Sequence, residues 1–213
     1  MAVRGSEVCE NAQLPDLGWH RTADERELPV AELIADLFVS VDGFAAGEDV
    51  GPFFGYYGPD LGAWITTETA RPQTLLMGRV TYELMADMSA AATDPSSVRM
   101  TALPKVVVSG RLREPLDWAN SRVLSTDPAA GIAPGIAALK RESDAPVRTI
   151  GSLSLVRSLL ALGLVDQLRL MVFPLTLGAD GREPAYTGHP RAGLRLAGTT
   201  VLDDRIVLLT YRP

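Results

Sequence analysis

Two glycines stand where a short apolar run gives way to a helix-forming one. Gly78 follows Thr74-Leu-Leu-Met77, and Gly151 follows Val147-Arg-Thr-Ile150. A glycine at such a junction lets a ligand approach the backbone closely. The helix that follows offers free N–H donors and the positive end of its dipole. A pair of these junctions suits a diphosphate, and it equally describes two ordinary tight βα turns. Gly151-Ser-Leu-Ser154 is not a G-x-G-x-x-G fingerprint, and no Walker sequence is present. A second signal is the loop Gly51–Pro59, where Phe53, Phe54, Tyr56 and Tyr57 are four of the ten Phe and Tyr residues. Aromatics on a loop suit stacking on a flat ring, or a plug over a sheet, or a contact with a second copy of the chain. Asp36 lies inside the first apolar run, where a charge is costly unless partnered; solvent or a partner subunit would relieve that cost.

The elements that must position these residues follow from pattern. Leu33–Val41 is short, apolar and β-branched and reads as a buried strand ended by Asp42-Gly43 turn chemistry. Asp60 is placed to cap a helix running to about Thr69. Strands are expected at Thr74–Met77, Pro104–Ser109, Arg122–Ser125, Val147–Ile150 and Val165–Pro174, with helices from Gly78, over Gly135–Glu142 and over Leu153–Leu162. Two last strands, Leu194–Leu202 and Arg205–Tyr211, meet at Asp203-Asp204 as a hairpin. Alternating β and α followed by a β-rich tail predicts a mostly parallel sheet flanked by helices, with an antiparallel edge. Residues 1–29 are polar, carry nine charged side chains and read as an extension to a domain over 30–213. No repeat or internal linker is visible.

Composition narrows the classes. The chain has 213 residues, enough for one domain plus an extension. Its charge of 20 − 26 = −6 argues against a nucleic-acid binder, which normally shows a basic stripe. A single cysteine, Cys9, excludes an intrachain disulfide, and with only His20 and His189 besides it no metal site is expected. No apolar run approaches the roughly 18 residues of a membrane span, and no secretory signal is visible. A cytoplasmic protein without membrane or nucleic-acid partners is the expectation. Arg outnumbers Lys 18 to 2, which as a bulk figure reads as compositional bias.

Several short motifs, in order, resemble one family. Met77-Gly-Arg-Val-Thr-Tyr-Glu83 is similar to the G-R-x-T-[YW]-E segment of the dihydrofolate reductase superfamily. Ser40-Val-Asp-Gly43 resembles the S-L-D-G motif, and Trp64-Ile-Thr66 the W-I-T segment, of its riboflavin-biosynthesis reductase branch, the bacterial deaminase–reductase domain family. Pro104–Ser109, Ile150-Gly-Ser with Leu155–Leu160, Gly163-Leu-Val-Asp166 and Pro174-Leu-Thr-Leu-Gly178 continue the likeness, which spans about residues 31–213.

The resemblance implies a dihydrofolate-reductase-like three-layer α/β sandwich with a mostly parallel central sheet and an antiparallel C-terminal edge. It implies an NADPH-dependent reductase of a pterin-like, pyrimidine-like or other small C=N or C=C substrate, and a homodimer through the β-rich tail. By position, Arg79 would face the 2′-phosphate of NADPH. Gly78, Thr81, Gly151 and Ser152 would hold the diphosphate, and Ser109 and Arg111 the adenosine end. A helix-surface pair of Arg79 with Glu83 is the competing use of that arginine. Leu153 stands where the family usually has a small residue and is expected to crowd the cofactor. Asp42 or Asp60 would supply the proton that accompanies a hydride, with turn formation and helix capping as their alternatives. Phe54, Tyr56, Tyr57 and Trp64 would line the substrate side. No deaminase zinc motif is present, so a bifunctional deaminase–reductase is not expected. A folate reductase using Asp60, and a ligand-binding member of the fold without turnover, remain as other readings.

Overall fold

The computed structural model describes residues 30–90, 92–126, 131–188 and 191–213; the proposed extension 1–29, Cys9, His20 and His189 lie outside them. In chain order the elements are β1 (Leu33–Ser40), β2 (Phe44–Gly47), α1 (Pro59–Ala70), β3 (Thr74–Gly78), α2 (Arg79–Ala90), α3 (Pro95–Ala102), β4 (Lys105–Val108) and β5 (Ser121–Leu124). Then come α4 (Ala133–Glu142), β6 (Val147–Thr149), α5 (Leu153–Ala161), β7 (Gln167–Phe173), β8 (Gly181–Pro184), β9 (Arg195–Leu202) and β10 (Ile206–Arg212).

Eight strands form one sheet in the order β5-β4-β3-β6-β1-β7-β10-β9. The first six run parallel, and β10 and β9 close the edge antiparallel, which is the expected architecture. β1 is the first of the described strands and, with β6, lies at the centre of the sheet, where its alternating residues serve two layers. Leu33, Ala35, Leu37 and Val39 pack with Ile136, Leu139, Leu155, Val156 and Leu159 of α4 and α5. The opposite face sends Phe38 to α1, where Leu61, Trp64 and Ile65 meet Met171, Phe173 and Leu208. A third cluster, Leu75, Met77, Tyr82, Val107 and Trp118, joins β3 and β4 to α2 and the β4–β5 connection. Each fully buried side chain of this kind contributes about 1.5–3 kcal/mol.

Asp36 does not face solvent. It is 8% exposed and lies in register with Arg169 of β7. Arg169 Nε and Nη2 donate to it at 2.6 and 2.8 Å, and Arg148 Nε of β6 at 2.5 Å. Arg169 Nη1 also donates to Glu68 of α1 at 2.7 Å. The charge is tolerated because its neighbours across the sheet carry the opposite one. The Asp36–Glu68 pair raises the Arg169 pKa against the opposing effect of its own burial, which is the largest single influence.

Two features lie outside the expected pattern. Residues 95–102 form α3, whose start is fixed by Asp94: its carboxylate accepts from the Ser96 and Ser97 amides at 3.0 and 3.1 Å. β2 and β8 form a separate two-stranded antiparallel sheet. Among the described residues no helix is long and apolar enough to cross a membrane.

Candidate active site

The two glycine junctions meet. β3 and β6 are neighbours, so α2 and α5 both begin at the carboxyl edge of the sheet, side by side. The approach is close: a Cβ placed on Gly78 would lie 2.2 Å from Ser152 Oγ, and one on Gly151 would lie 3.1 Å from Thr81 Cγ2. Gly151 and Ser152 both take left-handed backbone conformations, φ 59° and 70°. For serine that conformation costs roughly 1–2 kcal/mol, and such strain persists where surrounding structure imposes it. Ser152 occupies the N-cap position of α5, yet its side chain makes no capping hydrogen bond. The first amides of α5 are therefore not taken up by a side-chain cap, and they point to the side where an anion would lie.

The cations expected here differ in state. Arg79, in the first turn of α2, donates to Glu83 at 2.6 Å, the helix-surface pair that competes with phosphate binding. Arg111 is exposed and makes no ion pair among the described residues. Ser109 is buried, and its Oγ accepts from the Arg111 and Leu112 amides, both at 3.0 Å; it shapes the turn that presents Arg111. Leu153, at the first position of α5, is half-buried and packs against the core cluster under α4 and α5.

Both acid candidates are engaged as anchors. Asp42 Oδ1 accepts from Ser40 Oγ at 2.6 Å, and its carboxylate accepts from the Leu177 and Gly178 amides at 2.9 and 2.8 Å. The Ser40 hydroxyl, followed by the Gly178 amide, holds its pKa below the ordinary value. Asp42 is thus an ionised clamp on the segment after β7, not a carboxyl holding a proton at neutral pH. Asp60 is exposed and does not cap α1 with its side chain. The helix starts at Pro59 after Gly58, which provides no side-chain cap. Asp203 of the β9–β10 turn caps it instead, accepting from the Asp60 and Leu61 amides at 2.9 and 3.1 Å, while Asp60 accepts from the Asp203 amide at 2.9 Å. Local pattern shows no sign of a cap delivered from so far along the chain.

The aromatic residues divide between plug and rim. Phe54 is buried against Phe173 with ring centroids 5.1 Å apart, so the plug reading holds for it. Trp64 packs on Phe38 at 6.4 Å, with the Arg148 and Arg169 guanidiniums 5.2 and 5.4 Å from its ring. It is held by the core and by the buried charges rather than turned outward. Phe53 lies between Phe38 and Tyr57. Tyr56 donates to the Pro174 carbonyl at 3.3 Å. Tyr57 is 62% exposed and alone of the four presents most of its ring to solvent. Phe53 and Phe54 are left-handed, φ 53° each, followed by Gly55 at 77°, so this turn carries strain. It covers the carboxyl ends of β1 and β7, while the glycine junctions stand on β3 and β6. The four strands are adjacent in the order β3-β6-β1-β7. A ligand at an open α/β sheet binds outside such carboxyl ends. The cavities of about 220 and about 680 Å³ recorded in the structure open instead at the amino-terminal edge.

This strand order, with both junctions on one edge, defines a dihydrofolate-reductase-like fold. A dihydrofolate reductase from Enterococcus faecalis, solved in complex with NADP(H), superposes with a TM-score of 0.56 at 15% identity, over 85% of this chain and 95% of that one. The riboflavin biosynthesis reductase Rib7 of Saccharomyces cerevisiae does so with a TM-score of 0.55 at 15% identity, over 89% and 92%. Within that fold the chain belongs to the RibD C-terminal domain family, whose model matches residues 31–208. It is 26% identical over 183 residues to the uncharacterized protein YyaP of Bacillus subtilis, covering 84% of this chain and 93% of that protein.

Proposed function

We propose that the protein is an NADPH-dependent reductase acting on a small unsaturated heterocycle or a related C=N or C=C bond. The observation that carries this reading is the meeting of the Gly78 and Gly151 junctions beside uncapped α5 amides. The residues fit the cofactor. Gly78, Thr81, Gly151 and Ser152 would hold its diphosphate, and the exposed Arg111 has no competing carboxylate among the described residues. Arg79 can serve the 2′-phosphate by exchanging Glu83 for it. Bound there, the cofactor would supply a hydride. The chain's own part is positioning, which provides much of the acceleration in such reactions. Asp42 fixes the segment after β7 against the end of β1. Asp203 and Asp60 fix the start of α1, and Tyr57 and Phe53 offer flat surfaces at the rim.

Asp42 is held ionised by its hydrogen bonds and Asp60 is occupied at the Asp203 amide, so the proton that accompanies reduction would come from water or from the substrate. The same fact favours a second reading, a ligand-binding member of the fold without turnover. NADPH titration followed by a substrate screen at the NADPH absorbance band separates the two. Binding without oxidation across the screen supports the second reading. Absence of NADPH binding at millimolar cofactor overturns the first. Arg79→Ala should weaken NADPH about tenfold to a hundredfold, the value of a charge-assisted bond, and leave NADH nearly unchanged. Equal losses for both cofactors would remove Arg79 from the 2′-phosphate. The exposed acid rim at Asp60 does not favour a folate reductase.

We also propose a cytoplasmic homodimer. β9 is an edge strand with seven residues exposed or half-exposed out of eight and Leu196 and Val201 more than half exposed. Such an edge invites pairing with another chain, and sedimentation analysis reads the result directly.

A further inference from the structure

The buried charges beneath α1 open into a second feature, far from the glycine junctions. At the amino-terminal edge of the sheet a cavity of about 220 Å³ is walled by Arg71, Gln73, Arg148, Gln167, Arg169 and Thr210, among others. Among the described residues three guanidiniums face two carboxylates there, Asp36 and Glu68, which leaves one positive charge in surplus. Glu68 is fully engaged: Oε1 accepts from Arg71 Nη1 at 2.8 Å and Oε2 from Arg169 Nη1 at 2.7 Å. Asp36 is engaged by Arg169 and by Arg148 Nε.

The terminal nitrogens of Arg148 are not. Neither Nη1 nor Nη2 donates a hydrogen bond to a described residue. The carboxylate oxygen paired with Nη1, Glu68 Oε2, is 3.6 Å away, too far for a well-formed bond. Yet the residue is only 8% exposed. The Gln167 amide and the Thr210 hydroxyl, on the same wall, also lack hydrogen-bond partners among the described residues. Gln167 and Thr210 are half-buried, so these donors face the cavity and are left to water or to a bound acceptor, and a charged donor gains most from an anionic one. Donors in excess, a planar guanidinium fork and one uncompensated positive charge together match a small oxyanion. The volume is below the roughly 300–1,000 Å³ of pockets for drug-sized ligands, which points to a small group rather than a nucleotide.

We propose that this cavity binds a small oxyanion, a phosphate or a carboxylate group. The Arg148 Nη atoms would hold it, with Gln167 and Thr210 as further donors and the exposed Arg71 at the mouth. The site is independent of the cofactor and of the reductase reading.

Calorimetric titration of the full chain with inorganic phosphate, and separately with acetate, at ionic strength fixed by sodium chloride, tests this. Substituting Arg148 itself would strip Asp36 of a partner, so the diagnostic variant is Arg71→Ala combined with Thr210→Val, which leaves every Asp36 pair intact. Saturable binding weakened about tenfold in that variant, and retained in Arg79→Ala, supports the site. Phosphate binding with acetate ignored identifies a phosphoryl ligand, and the reverse identifies a carboxylate. Binding unaffected by the double variant, binding lost in Arg79→Ala, or no saturable binding at millimolar anion would each overturn it.

Discussion

The two edges of one sheet are built from opposite materials. At the carboxyl edge the groups available to a ligand are backbone amides, two glycine junctions, the exposed Arg111 on a turn and Arg79 at the start of α2, with left-handed backbone at Gly151, Ser152, Phe53 and Phe54. At the amino edge they are side chains, held inside the sheet by mutual ion pairs among Asp36, Glu68, Arg148 and Arg169. The first edge stores strain and leaves the α5 amides uncapped and Arg111 exposed. The second commits nearly all of its charge to the fold. Removing a member of the buried Asp36–Glu68–Arg148–Arg169 network should therefore cost much stability, and removing a residue from the carboxyl edge should blunt binding with smaller losses of stability.

The largest expected effect lies at the amino edge. Asp36→Ala leaves two buried guanidiniums without their main partner and should cost about 3–5 kcal/mol, read by chemical denaturation. A loss near that of a surface ion pair would mean that water reaches the network. Next comes Gly151→Ala, which forces a side chain into a left-handed position against Thr81 and should cost about 1–2 kcal/mol. In the same variant NADPH affinity should fall by more than the stability change suggests; a stability loss with unchanged cofactor affinity would detach this junction from the cofactor. Asp203→Ala removes the cap of α1 and should lower stability by about 1 kcal/mol, visible as a small drop in Tm.

The smallest effect is one of pH. Asp42 has a folded-state pKa below its ordinary value near 3.8. Its contribution is therefore complete above that value and disappears as pH falls through the folded-state pKa. Between pH 5 and acid, wild type should lose Tm more steeply than Asp42→Asn. Parallel curves would show that the clamp on Leu177 and Gly178 carries no charge dependence.

Much of this was legible from residue order. The main strands, the antiparallel tail and the junctions at Gly78 and Gly151 follow from periodicity and glycine placement, because those signals are local. β2 and β8 were not, since Phe44–Gly47 and Gly181–Pro184 are too short to show alternation and pair across more than a hundred residues. α3 was missed although Asp94-Pro95 carries an ordinary start signal; its eight residues hold no apolar periodicity of note. Within the site, Arg79 was found but its engagement by Glu83 left undecided, since one arginine can satisfy either partner. The Asp36 network could have been anticipated from three strands each holding one charge in an apolar run: Asp36, Arg148 and Arg169. What pattern cannot supply is which of those charges lie opposite each other, because that depends on strand register.

The placement of β1 also sets a timetable. It leaves the ribosome before every other described element, yet its two sheet neighbours, β6 and β7, begin at Val147 and Gln167. Until then its apolar faces have no sheet partner and Asp36 has neither arginine. Distant pairings of this kind slow folding and leave nascent strand edges exposed to association. The last hairpin, which caps α1 from Asp203, arrives later still. β6 and β7 must therefore both be made before β1 is secure, and a product ending short of Val147 would leave the edges and apolar faces of β1 without their sheet partners.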